Sequence, residues 1–87
     1  MVRENDFIAV FHSIHRVMKA EKILKGGNVS ILLIPAPRQI SSECGLALRY
    51  TAEEADRVKD LLITQGLPPA EIYQYQKGKF VPQVIFP

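Results

Sequence analysis

The sequence holds a single cysteine, and that scarcity excludes most thiol architectures. Without a second sulfur the chain makes no internal disulfide, so it is not a stapled secreted scaffold and suits a reducing compartment. It has no C-x-x-C pair, which removes a thioredoxin-type dithiol and a two-cysteine heavy-metal module. Charge of one sign is also scarce. The net charge is +2, and the eleven Lys and Arg residues are dispersed, mostly interleaved with acids along two helical patterns. That is not a phosphate-tracking stripe, so nucleic acid is not an expected partner. Long apolar stretches are missing: a run such as Ile31 to Ile34 falls far short of a bilayer. The polar opening Met1 to Glu4 and the short run Phe7 to Phe11 do not make a secretory leader. No glycine-rich phosphate loop occurs. The expectation is a soluble cytoplasmic protein with no membrane partner.

What is present is enough for one small domain. Eighty-seven residues, 47% of them hydrophobic, match a packed globular chain with a thin core. The expected core spans about residues 6–76, with an extended arm over 77–87. Asp6 to His12 reads as a strand with apolar residues on both sides, hence covered on two faces. Ser13 offers an N-cap hydroxyl, and Val17, Ala20 and Leu24 then recur at helical spacing. Gly26-Gly27 ends that helix by permitting positive φ. Val29 to Ile34 reads as a buried strand stopped by Pro35 and Pro37. Arg38 to Gly45 is a polar loop. Leu46 to Tyr50 alternates, with Leu46, Leu48 and Tyr50 inward and Ala47 and Arg49 outward. Thr51 to Glu54 has the form of a capping box before a helix with Ala55, Val58, Leu61 and Leu62 on one stripe, ended by Gly66. Glu71 to Gln76 is a strand, Lys77-Gly78 a turn, and Phe80 to Phe86 a last extended segment that Pro82 confines to an edge. The order is β-α-β-β-α-β with an extra C-terminal edge strand: an α+β fold of ferredoxin-like sandwich type.

That topology would bring the ends of the first two strands and the start of the third to one rim. The rim would hold His12, Ser13, His15, Arg38, Ser41, Ser42, Cys44 and Gly45. The first helix begins there, and its unpaired N–H groups create positive potential. A helix start and nearby cations favour a thiolate, so Cys44 is the candidate reactive atom. Arg38, His12 and His15 are candidate cations. Ser13, Ser41 and Ser42 are candidate donors to an anion, and Gly45 allows close backbone approach beside the sulfur. Each has a plainer reading: Cys44 as a small buried hydrophobe, the histidines as surface residues, the serines as turn residues, Arg38 as a partner of Glu43.

Two stretches are more specific. Phe11-His12-Ser13-Ile14-His15 with Ala20 to Lys25, and Ile34-Pro35-Ala36-Pro37-Arg38-Gln39-Ile40-Ser41-Ser42-Glu43-Cys44-Gly45, resemble a small family described as selenium/sulfur carrier protein-like. The resemblance covers roughly residues 7 to 75, and the P-x-P-R-x-I-S-S-x-C-G stretch is its most specific part. It implies a non-enzymatic carrier in which Cys44 holds a persulfide or its selenium equivalent between a donor and an acceptor protein. Arg38, Ser41, Ser42 and Gly45 match the motif around the cysteine; Ser13 and His15 match the motif at the helix start. The Cys-Pro-x-Pro motif of other sulfur-relay carriers is lacking. No cofactor is implied.

A second reading is a small-anion-binding or self-associating module with a structural cysteine. In it, Phe80-Val81 and Val84-Ile85-Phe86 cover the helix-free face of the sheet or build a homodimer through the C-terminal strand. A third reading, a metal site of Cys44, His12 and His15, lacks a fourth ligand, and no metal is expected.

Overall fold

Apolar side chains on both sides of Phe7–Val10 leave that segment without a polar face. In the computed structural model it is strand β1, at the centre of the sheet. The structure describes residues 2–40 and 44–84. Helix α1 is Ile14–Gly26, β2 Leu32–Pro35 and β3 Leu46–Tyr50. A 3-10 turn, Ala52–Glu54, leads into α2, Ala55–Thr64, and β4 (Glu71–Gln76) and β5 (Lys79–Pro82) follow. The strands make one antiparallel sheet in the order β2-β3-β1-β4-β5. The strands joined by α1 have β3 between them, and those joined by α2 have β1 between them. The α+β expectation and the added C-terminal edge strand are both met. Among the described residues no helix is long and apolar enough to cross a membrane.

Both helices cover one face. Ala9, Leu48, Tyr50 and Ile72 from the sheet meet Val17, Ala20 and Leu24 of α1 and Val58 and Leu62 of α2. Phe7 and Tyr50, opposite each other in the register, stack with centroids 5.7 Å apart. Truncating a leucine in such a layer costs about 2–5 kcal/mol, against a total stability of about 5–15 kcal/mol. The opposite face has its own buried layer of Ile8, Val10, Ile34, Ile40 and Ala47, packed under Val2, Ala36, Tyr73 and Phe80. Ala47 therefore does not point to solvent as its alternation suggested; it is fully buried on the helix-free side. The loop expected to be polar supplies the cover, because Ile40 folds back over the sheet and is 4% exposed.

Three local expectations are corrected. The second strand begins at Leu32 rather than Val29 and is an edge strand, with Leu32 48% exposed. The preceding residues are engaged elsewhere: Val29 N–H donates to Leu24 O at 2.9 Å and Ser30 N–H to the Glu54 carboxylate at 2.9 Å. Pro35 belongs to this strand. Ala36 N–H donates to Gly45 O at 2.9 Å, so alternation of the ladder puts the proline nitrogen on the outer margin, where no bond is lost.

The capping box does not form. Thr51 makes no side-chain cap bond, and Glu54 instead accepts from Ser30 and, at 3.0 Å, from Arg57. At the end of α1, positive φ falls on Asn28 (+61°) and not on Gly27 (−89°). Gly27 lies against α2, where a Cβ would stand 2.7 Å from Leu61 Cδ1.

Candidate functional site

Register fixes the rim. Val10 faces Ala47, Ala47 faces Ile34, and Leu46 faces Pro35, so the ends of β1 and β2 meet the start of β3. Ala70 N–H donates to Val10 O at 2.8 Å, bringing the start of β4 to the same rim. Phe11 to Ser13 leave this rim to begin α1, and Pro35 to Ile40 leave it towards the loop that returns at Cys44.

Cys44 is half-buried. Its side chain packs against the helix-side core, and Sγ donates to Leu46 O at 3.3 Å. Gly45, beside it, has φ +73°, and nothing lies within 4 Å of where a Cβ would stand. Its role is thus the left-handed backbone that turns the chain into β3, and close approach beside the sulfur is not what requires glycine here. Ser13 is the N-cap of α1: its Oγ accepts from Arg16 N–H at 3.2 Å, as the sequence suggested. His12 and His15 are exposed on either side of it.

Arg38 is exposed and lines a groove of about 410 Å³ on the helix-free side, with Pro35, Pro37, Tyr75 and Phe80. The rim thus gathers His12, Ser13, His15, Arg38, Cys44 and Gly45 along one edge, but the Arg38 and Cys44 side chains serve opposite faces of the sheet. Ser41 and Ser42 lie outside the described residues.

Sequence reasoning missed Ile40, Tyr75 and Phe80 as neighbours of the Pro35–Arg38 segment. An isoleucine inside an otherwise polar loop was the available signal for the first. Tyr75 and Phe80 come together only through the β4–β5 hairpin, with ring centroids 5.0 Å apart. Nearby, Tyr73 donates to Glu71 at 2.5 Å; that bond, then burial and the Glu71 charge, raises the phenol above its usual range. Among the described residues no group of three or more His, Cys, Asp and Glu is placed to hold a metal ion.

One family matches the chain. It is described as "Putative Se/S carrier protein-like", and the match covers residues 6–74. No curated protein and no solved structure matches.

Proposed function

The chain belongs to the Se/S carrier protein-like family, and on that premise we propose that it carries sulfur, or selenium in its place, on Cys44. The observation that carries this reading is the family match over residues 6–74, which takes in the rim and the one cysteine. Cys44 gives up its proton and attacks the outer sulfur of a donor persulfide. A bond forms between Cys44 Sγ and that outer sulfur while the donor's S–S bond breaks. The electron pair leaves on the donor's inner sulfur, which takes up the proton, so nothing is oxidised overall. Onward delivery is the same displacement, with an acceptor thiol attacking the sulfur held on Cys44.

Several features support the reading. A chain with one cysteine has no second thiol to collapse the persulfide into an internal disulfide. A half-buried sulfur at the start of a strand offers cargo some shelter without a deep pocket. The S–H bond to Leu46 O orients the resting thiol and must be released before attack. We assign His12, His15 and the start of α1 to the anionic form of the sulfur, with Ser13, Arg38, Ser41, Ser42 and Gly45 shaping the surrounding rim. The partners are then a donor and an acceptor protein. The interleaved strand order supports a ferredoxin-like classification, with the chain acting as one domain in the cytoplasm.

The test is intact mass after incubation with a cysteine desulfurase and cysteine. A gain of one sulfur atom is expected, reversed by reductant and absent in Cys44→Ala. An unchanged mass for the wild-type chain would remove the carrier reading.

A further inference from the structure

The helix-free face is not filled by its own cover. Residues 35–39 leave one edge of the sheet, Phe80 belongs to the strand at the other, and a groove of about 410 Å³ lies between them beside buried Ile34. Small-molecule sites run from about 300 to 1,000 Å³. One wall is a ring pair, Tyr75 and Phe80, with centroids 5.0 Å apart and planes tilted by 57°. The β4–β5 register sets these two residues opposite each other, so that wall is formed before any ligand arrives. Pro35 and Pro37 stiffen the other wall by fixing φ. The described chain does not return to fill the space. After β5, Gln83 N–H donates to Ile72 O at 2.8 Å, and Gln83 and Val84 line a separate cavity beside Ala55 and Lys59 of α2.

Arg38 is the one charged side chain among the described residues that line the groove. Among the described residues its guanidinium has no ion pair and no hydrogen bond, and the Tyr75 hydroxyl has no hydrogen-bond partner. Two unpaired donors thus stand among walls of hydrocarbon, which is the make-up of a small-ligand site: an apolar body with a few polar groups that fix orientation.

We propose that this groove binds a small carboxylic acid with an apolar body, its carboxylate held by Arg38 and its hydrocarbon laid against Phe80, Tyr75 and Pro37. One cation with no acid beside it matches a single negative charge. The planar guanidinium fork matches the two oxygens of a carboxylate. The Tyr75 hydroxyl supplies a further donor to the same head. The remaining walls offer nothing to a second polar group, so the rest of the ligand is apolar. The site goes beyond the carrier reading and does not rest on it, because Arg38 and Cys44 serve opposite faces of the sheet.

The probe is phenylpropionate, titrated into the isotope-labelled chain and followed by amide shifts. Saturable shifts are expected at residues 36–39 and 75–80, with those of α1 and α2 unmoved. Phenylpropionamide, the same shape without charge, should bind about tenfold more weakly. Propionate, the head without the ring, should lose at least about tenfold through the missing apolar contact. Arg38→Gln should weaken phenylpropionate about tenfold and leave the amide's affinity unchanged. Arg16→Gln, an exposed arginine of α1 with the same loss of charge, should bind phenylpropionate as the wild type does. Both arginines are exposed, so neither substitution threatens the fold.

No saturable shift up to about 10 mM would overturn the proposal. Equal affinity for the acid and the amide, or equal losses in the two arginine variants, would also overturn it by removing Arg38 as the recognising charge. Propionate binding as well as phenylpropionate would leave a bare anion site and would overturn it too. Concentration-dependent shifts of the same amides without ligand would seat a second copy of the chain in the groove, and the small-acid reading would fall.

Discussion

Among the described residues Asp6 is the one charged residue that is buried, 4% exposed, and two groups hold it there. Arg3 N–H donates to its carboxylate at 2.9 Å, and Arg49 Nε lies 2.9 Å from the same oxygen, an ion pair without hydrogen-bond alignment. Removing the carboxylate would strand the Arg49 charge between strands, so Asp6→Ala is expected to cost about 3 kcal/mol, read as a lowered urea midpoint. Tyr50 titrates in the opposite sense from an acid stabilised by pairing. Its burial raises the phenol well above the ordinary value of 10.0. Above pH 10 the unfolded chain loses this proton while the folded chain keeps it. The folded state then binds more protons, and stability falls as pH rises. Tyr50→Phe should flatten that alkaline fall in a series of denaturant titrations. The tyrosine's inward direction was legible in its strand's alternation. The depth of Asp6 was not, because only Arg3 N–H is a local partner, from the same turn, while the charge that pairs with it, the Arg49 side chain, comes from β3.

Elements defined by local chemistry matched the sequence closely. β3 and β4 begin and end at the expected residues, because proline, glycine and a period of two bound them from within. The stripes of α1 and α2 were equally plain: Val17, Ala20 and Leu24 in one, Val58 and Leu62 in the other, are all buried. Junctions set by distant partners were not legible. Glu54, placed for a capping box, is drawn across to Ser30 N–H and to Arg57, and Arg57 donates to Gly27 O at 3.1 Å and Asn28 O at 3.2 Å. One guanidinium thus satisfies carbonyls at the end of α1 while standing on α2. Arg57→Ala should cost about 1 kcal/mol, the exposure of the side chain limiting the loss. Hydrogen exchange should accelerate at residues 25–30 before it does in β1.

For the molecule as a whole, the succession of elements was enough to anticipate a helix-covered sheet with strands interleaved around its centre. The cover of the other side was anticipated in part: Phe80 of the C-terminal segment packs over it as the second reading expected, but Val2, the 36–40 segment and Tyr73 join it from separated places that no local pattern announced. The candidate site was legible as a set of residues on one rim. The sorting of Cys44 and Arg38 to opposite faces was not, because it depends on how the intervening loop crosses the sheet edge. A five-stranded open sheet also has two margins, and the β2 margin is almost wholly apolar. Unguarded, a row of this kind templates the addition of further copies. Pro35, with its nitrogen on the outer side, interrupts the template after a short reach, so stacking copy upon copy finds no continuous set of donors. Pro35→Val would restore the missing donor without disturbing the inner ladder. The expected result is an unchanged far-UV spectrum with a shortened lag before fibre growth, followed by thioflavin fluorescence: a single ring at the border decides between a dispersed molecule and a polymer.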